Sequence, residues 1–140
     1  MTQEDKELLL KDLCARLPYG VKCDVGEKAP YTLSRIEIDN VDGHLLDLSE
    51  MKDGLYMQAF LSGAKPYLFP LSSMTEEQYN DFFSYYHNIE MAEVKSSGDY
   101  LKAAYIGDDA KYSWLNSHHF DYRGLIEKGL AIDATGLNIY

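Results

Sequence analysis

Thr75-Glu76-Glu77-Gln78 is followed at once by Tyr79, Phe82, Phe83 and Tyr86, and this conjunction fixes one element of any fold the chain adopts. A threonine oxygen at the N-cap accepts from the third helical N–H, and a glutamine there reaches back to the cap. Two glutamates in the first turn meet the positive end of the helix dipole. The four aromatics recur at i, i+3, i+4 and i+7, so they share one helix face, expected to pack on a sheet. Met74 is placed to staple against Tyr79, and the helix is expected to end near His87 to Met91.

What precedes that helix reads differently. Thr2 caps a first helix with Asp5 at its third position. Leu9, Leu13 and Leu17 recur along it, with Leu10 and Cys14 widening the same face, until Pro18-Tyr19-Gly20 stops it. Val21 to Val25 and Tyr31 to Ile38 then have strand composition and suggest a hairpin. Turns at Asn40-Val41-Asp42-Gly43 and Asp53-Gly54 separate a short strand at His44 to Leu48 from a better one at Leu55 to Leu61. A last strand, Tyr67 to Leu71, contains Pro70, which has no N–H for a ladder and predicts an edge or a strand end. Lys95 to Gly98 reads as a loop, and Asp108 or Asp109 as the cap of a further helix through Tyr112, Leu115 and His119. Strands followed by helices give an α+β fold: an N-terminal helix, an antiparallel sheet of four or five strands, and C-terminal helices packed on it. The apolar tail, with Leu125, Ile126, Leu130 and Ile132, is expected to dock on that body.

At 140 residues the chain is expected to form one domain. Thirteen basic against 23 acidic side chains give a net charge of −10, which argues against a nucleic-acid partner, since phosphate backbones require basic clusters. Residues 1–70 carry 8 basic and 12 acidic groups and residues 71–140 carry 5 and 11, so the acidity belongs to the whole surface rather than to a tail. No apolar run approaches the roughly 18 residues a membrane span needs, and the N-terminus has no signal-peptide pattern, so a cytoplasmic protein away from membranes is expected. Cys14 and Cys23 form no C-x-x-C pair and are read as reduced thiols, Cys14 on the buried stripe of the first helix and Cys23 more exposed.

Three segments, ELLLKDLCARLPYGVKC (Glu7 to Cys23), KPYLFPLSSMTEEQ (Lys65 to Gln78) and FDYRGLIEKGLAIDAT (Phe120 to Thr135), resemble a family of small uncharacterised proteins from Bacteroides-type gut bacteria and their prophages or mobile elements. The resemblance implies a single cytoplasmic domain in a mobile-element setting. It brings no reaction, ligand or partner, so no residue role is carried over.

Two constellations remain as candidate sites. His118, His119, Asp121 and Arg123 bring imidazoles, a carboxylate and a guanidinium close together, an inventory that suits acid–base chemistry in a small hydrolase, a metal or an anion site. Adjacent histidines point about 100° apart on a helix, which is not the i, i+4 arrangement of a helical zinc site; no metal and no cofactor are expected. The plainer reading packs His119 beside Tyr112 and Leu115, exposes His118 at a helix end and spends Asp121 and Arg123 on a turn. His44 and His87 stand alone, and no nucleophile motif or glycine-rich phosphate loop occurs. The second constellation is acidic and aromatic: Glu76, Glu77 and Asp81, with Glu90 and Glu93 beyond them, beside Tyr85, which points away from the aromatic stripe. Such a surface suits a basic protein partner, including one that ordinarily binds DNA, although a charged helix face is also simply a solvated one. A non-catalytic protein-binding or adaptor domain is the favoured expectation and a hydrolase the alternative.

Overall fold

The computed structural model describes residues 1–26, 30–38, 43–50 and 55–140. Helix α1 (Gln3–Arg16) begins with the capping box its sequence announces: Asp5 N–H donates to Thr2 Oγ1 at 3.1 Å, and Thr2 N–H to Asp5 Oδ2 at 3.3 Å. A 3-10 turn over Leu17–Tyr19 ends it, and Gly20 reverses the chain at φ 69°, a left-handed conformation that costs glycine little. The buried stripe of α1 is Leu9, Asp12, Leu13 and Arg16. Cys14 lies off that stripe and is exposed, whereas Cys23 is fully buried, the reverse of the expected placement.

Strands β1 (Lys22–Asp24), β2 (Tyr31–Glu37), β3 (Leu45–Glu50), β4 (Leu55–Phe60) and β5 (Lys65–Pro70) form an antiparallel sheet in the order β4-β3-β2-β1-β5. Period-2 alternation sets its two faces. Leu33, Leu46 and Leu48 point into the core with Val21 and Cys23, while Ser34, Arg35, Asp47 and Gln58 form a polar network on the other side. The turn expected at Asp53-Gly54, and all of the one at 40–43 except Gly43, fall outside the described residues.

The sheet is mixed rather than wholly antiparallel. Strands β6 (Phe120–Asp121) and β7 (Ile132–Asp133) add to β5 in parallel, through Phe69 N–H to the His119 carbonyl and Ala134 N–H to the Leu68 carbonyl, both at 2.8 Å. β5 therefore ends at Pro70 but is no edge strand. The sequence gives little sign of β6 and β7, because two-residue strands carry no periodicity and are held by long-range pairing. The tail docks as expected, with Leu125, Leu130 and Ala131 joining Leu9, Leu13 and Leu68 in the main core.

Helices α2 (Glu76–Ser97) and α3 (Tyr100–Ser117) form an antiparallel hairpin. The expected capping box is present, with Gln78 N–H to Thr75 Oγ1 at 3.1 Å and Thr75 N–H to Gln78 Oε1 at 2.9 Å. Both inner boundaries differ from expectation. α2 runs on to Ser97, where Gly98 closes it in the left-handed region, and α3 starts at an Asp99 cap that accepts from Lys102 N–H. Asp108 and Asp109 are thus mid-helix. The aromatic face of α2 also splits: Phe82 and Tyr86 pack towards α3, while Tyr79 and Phe83 are exposed, so the stripe lines a helix–helix seam rather than the sheet. The base of the hairpin meets the sheet through Trp114, Leu115 and Phe120, with Phe69, Met74, Phe82 and Tyr122 around them. No helix among the described residues is long and apolar enough to cross a membrane.

Candidate functional site

The chain leaves α3 through His118 and His119 and enters β6, and this corner separates the four side chains of the first candidate constellation. His118 lies flat on Trp114 (ring centroids 3.8 Å apart), its Nδ1 2.9 Å from the Trp114 carbonyl, which places a proton on that nitrogen. His119 adopts φ 64° one residue beyond the helix cap and stacks instead on Tyr140 at 3.6 Å. Burial first, then the charges of Arg16, His118 and Lys22, lowers its pKa to about 4, so the ring is neutral near pH 7; its buried Nδ1 has no hydrogen-bond partner among the described residues. Tyr140 is itself pinned, accepting from Lys22 N–H at 2.9 Å and donating to the Tyr67 carbonyl at 2.7 Å. Burial raises its pKa.

Asp121 is buried and fully occupied in ordering the turn that follows. It accepts from the N–H groups of Arg123 (3.3 Å), Leu125 (3.0 Å) and Ile126 (2.9 Å). Arg123 turns the other way, towards α1, with Nε 3.4 Å from Asp12 Oδ1 and Nη2 donating to the Tyr122 hydroxyl at 3.1 Å. The structure thus gives each of the four its own surroundings: indole, phenol, backbone amides and a buried carboxylate. No group of three or more His, Cys, Asp or Glu side chains among the described residues is arranged to hold a metal ion.

Asp12 and Arg16 form a fully buried pair, Nε to Oδ2 at 2.8 Å, that the sequence reading did not single out. Arg16 Nη2 also donates to the Phe120 carbonyl at 2.6 Å. Desolvation outweighs the two guanidinium groups and raises the Asp12 pKa. The i, i+4 spacing of these residues between Leu9, Leu13 and Leu17 was the available signal, because a charge on an apolar stripe must be paired to be buried. Cys23, near Asp12 and Asp24 and fully desolvated, has its thiol pushed up to about 12, so no thiolate forms there near pH 7.

The acidic constellation also divides. Glu76, Glu77 and Tyr85 are exposed, but Asp81 accepts from the Trp114 indole N–H at 2.9 Å and so fastens α2 to α3. Glu93 pairs with Lys102 at 3.1 Å, and Glu90 lies against Gly107 in the helix crossing. The more open surface is on α3, facing away from α2. Leu101 is 86% exposed and Tyr105 74%, and the i, i+4, i+11 series continues to Tyr112, with Asp108 and Asp109 flanking it. Placing the start of α3 at residues 108–109 hid this stripe. Comparison with protein-family models, with curated proteins and with solved structures finds no match.

Proposed function

We propose that this chain is a non-catalytic protein-binding module whose α2–α3 hairpin presents an acidic and aromatic surface to a basic partner protein. The observation that carries the reading is the solvent-facing stripe Leu101, Tyr105 and Tyr112 on a helix whose opposite face is already filled by α2. Residues 76–117 hold eight acidic and three basic side chains, so half of the net charge of −10 lies on this one hairpin. That balance opposes self-association through the same face and favours a partner of opposite sign. Tyrosine offers broad contact at low entropic cost, which suits it to such a surface. A DNA-binding protein of a mobile element has the required charge, and the mobile-element setting is the one implied by the sequence resemblance. A small hydrolase using His118, His119, Asp121 and Arg123 is the lesser reading, because their side chains are engaged separately.

The test is capture of partners from lysate of the cells that naturally make the protein, at low and high salt, with wild type beside Leu101→Ser/Tyr105→Ser and Glu76→Lys/Glu77→Lys. A basic protein retained by wild type at low salt, released at high salt and lost with the first variant is the expected result. Retention unchanged by both variants would remove the hairpin from consideration. Loss confined to the α3 variant would remove Glu76 and Glu77 alone.

A further inference from the structure

Beside the base of the hairpin, between α1 and α3, runs an open groove of about 610 Å³. Lys11, Tyr19, Asp109, Tyr112, Tyr122 and Arg123 are among its lining residues. We infer that this groove is a binding site for a small aromatic carboxylate.

Arg123 supplies the main reason. Its Nε faces buried Asp12 at 3.4 Å, its Nη2 donates to the Tyr122 hydroxyl, and its guanidinium carbon lies 4.9 Å from the Tyr122 ring centre. Fastened to Tyr122 and facing Asp12, the guanidinium is oriented before any ligand arrives, yet Nε makes no hydrogen bond and Nη1 has no protein partner among the described residues. A planar, pre-oriented fork with free donors is the arrangement that recognises a carboxylate. The support behind it is unusually polar. Arg16, fully buried behind the lining and paired with Asp12, lies 5.3 Å from the same Tyr122 ring, and its Nη1 has no hydrogen-bond partner among the described residues. Lys11 adds an exposed ammonium with no ion pair or hydrogen bond among the described residues.

The remaining walls define the rest of the ligand. Tyr112 sits 5.1 Å from Tyr122 and is half exposed. Neither its hydroxyl nor that of Tyr19 makes a hydrogen bond among the described residues. Such phenols offer ring faces and polar tips to an aromatic ligand. Asp109 on the same wall disfavours a second negative charge, which selects a monoanionic carboxylate over a phosphate dianion.

The experiment is an amide chemical-shift titration of the full chain with benzoate, with acetate, inorganic phosphate and benzyl alcohol as comparison probes. Benzoate is expected to give saturable shifts centred on Lys11, Tyr19, Tyr112 and Arg123, binding more tightly than any of the other three. Lys11→Gln is expected to weaken it by about tenfold, as loss of a charge-assisted contact does, with an unchanged thermal midpoint. Arg123→Lys keeps the charge facing Asp12 but removes the fork, and should weaken benzoate at least as much. If Arg123→Lys unfolds, Lys11→Gln alone decides. No saturable shift up to about 10 mM benzoate, well past the weak end of specific binding, overturns the inference. So does equal binding of benzyl alcohol, acetate or phosphate, or a Lys11→Gln titration identical to wild type.

Discussion

At the scale of single residues, His119 shows how the fold sets a protonation state and what that costs on acidification. Its folded pKa is held near 4, below the ordinary 6.5, by burial and by the cations Arg16, His118 and Lys22. Above about pH 7.5 neither folded nor unfolded chain carries a proton there, and the residue is silent. As pH falls from about 6.5 towards 4 the unfolded chain takes up a proton that the folded chain refuses, so stability is lost across that window. His119→Asn keeps a residue that tolerates the left-handed backbone at φ 64° and removes the titration. Urea midpoints measured between pH 7.5 and 4.5 should fall more steeply for wild type than for the variant below about pH 6.5 and run parallel above about pH 7.5. Parallel curves throughout would show that this ring is not desolvated. None of this was legible in the sequence, since the partner that buries His119 is Tyr140, 21 positions away, and proximity in sequence suggested Tyr112 and Leu115 instead.

Among the elements, capping chemistry was read well and helix length badly. Both capping boxes form as expected, because the bonds join residues three apart and need no tertiary support. The loop expected at Lys95-Ser96-Ser97-Gly98 narrows to Gly98 and the Asp99 cap, because its first three residues complete α2. The seam that stabilises this hairpin is made of small residues on α3, with Ala103, Gly107 and Ala110 buried below Trp114. A β-carbon at Gly107 would stand 2.7 Å from Glu90 Oε2 and 3.1 Å from Glu90 Cβ, so the two helices approach closely because that carbon is absent. Gly107→Leu improves intrinsic helix propensity by nearly 1 kcal/mol but must push the crossing apart, an overpacking cost of about 1–3 kcal/mol. We expect a lower thermal midpoint with helical content retained by circular dichroism. An unchanged or higher midpoint would mean that the crossing gives way freely. At the same site Gly107→Ala should be much milder, because the Glu90 carboxylate can swing aside and only its Cβ resists.

For the whole molecule, two apolar clusters have to be held in one register, and a polar side chain joins them. The main core lies between α1 and the sheet, and the second lies under the hairpin around Trp114, Leu115 and Phe120. Arg16 extends from the stripe of the first to the Phe120 carbonyl of the second while paired with Asp12 on its own helix. The strand-then-helix order made the α+β class legible, but nothing local signals that residues 16 and 120 meet, because their contact spans 104 positions. Arg16→Met leaves the Asp12 carboxylate buried with only Arg123 at 3.4 Å and leaves the Phe120 carbonyl without its donor. A loss of about 3–5 kcal/mol is expected, the range for breaking one side of a buried pair and a large share of the 5–15 kcal/mol that holds an ordinary domain together. If the penalty comes from the stranded charge rather than from lost packing, Asp12→Leu with Arg16→Met must be more stable than Arg16→Met alone. Urea denaturation of the two singles and the double completes a cycle, and a coupling of 1 kcal/mol or more, on the order seen for contacting residues, is expected. Additive losses would instead make the pair two independent space-fillers. The register of the hairpin would then rest on the rings of Phe69, Trp114 and Phe120.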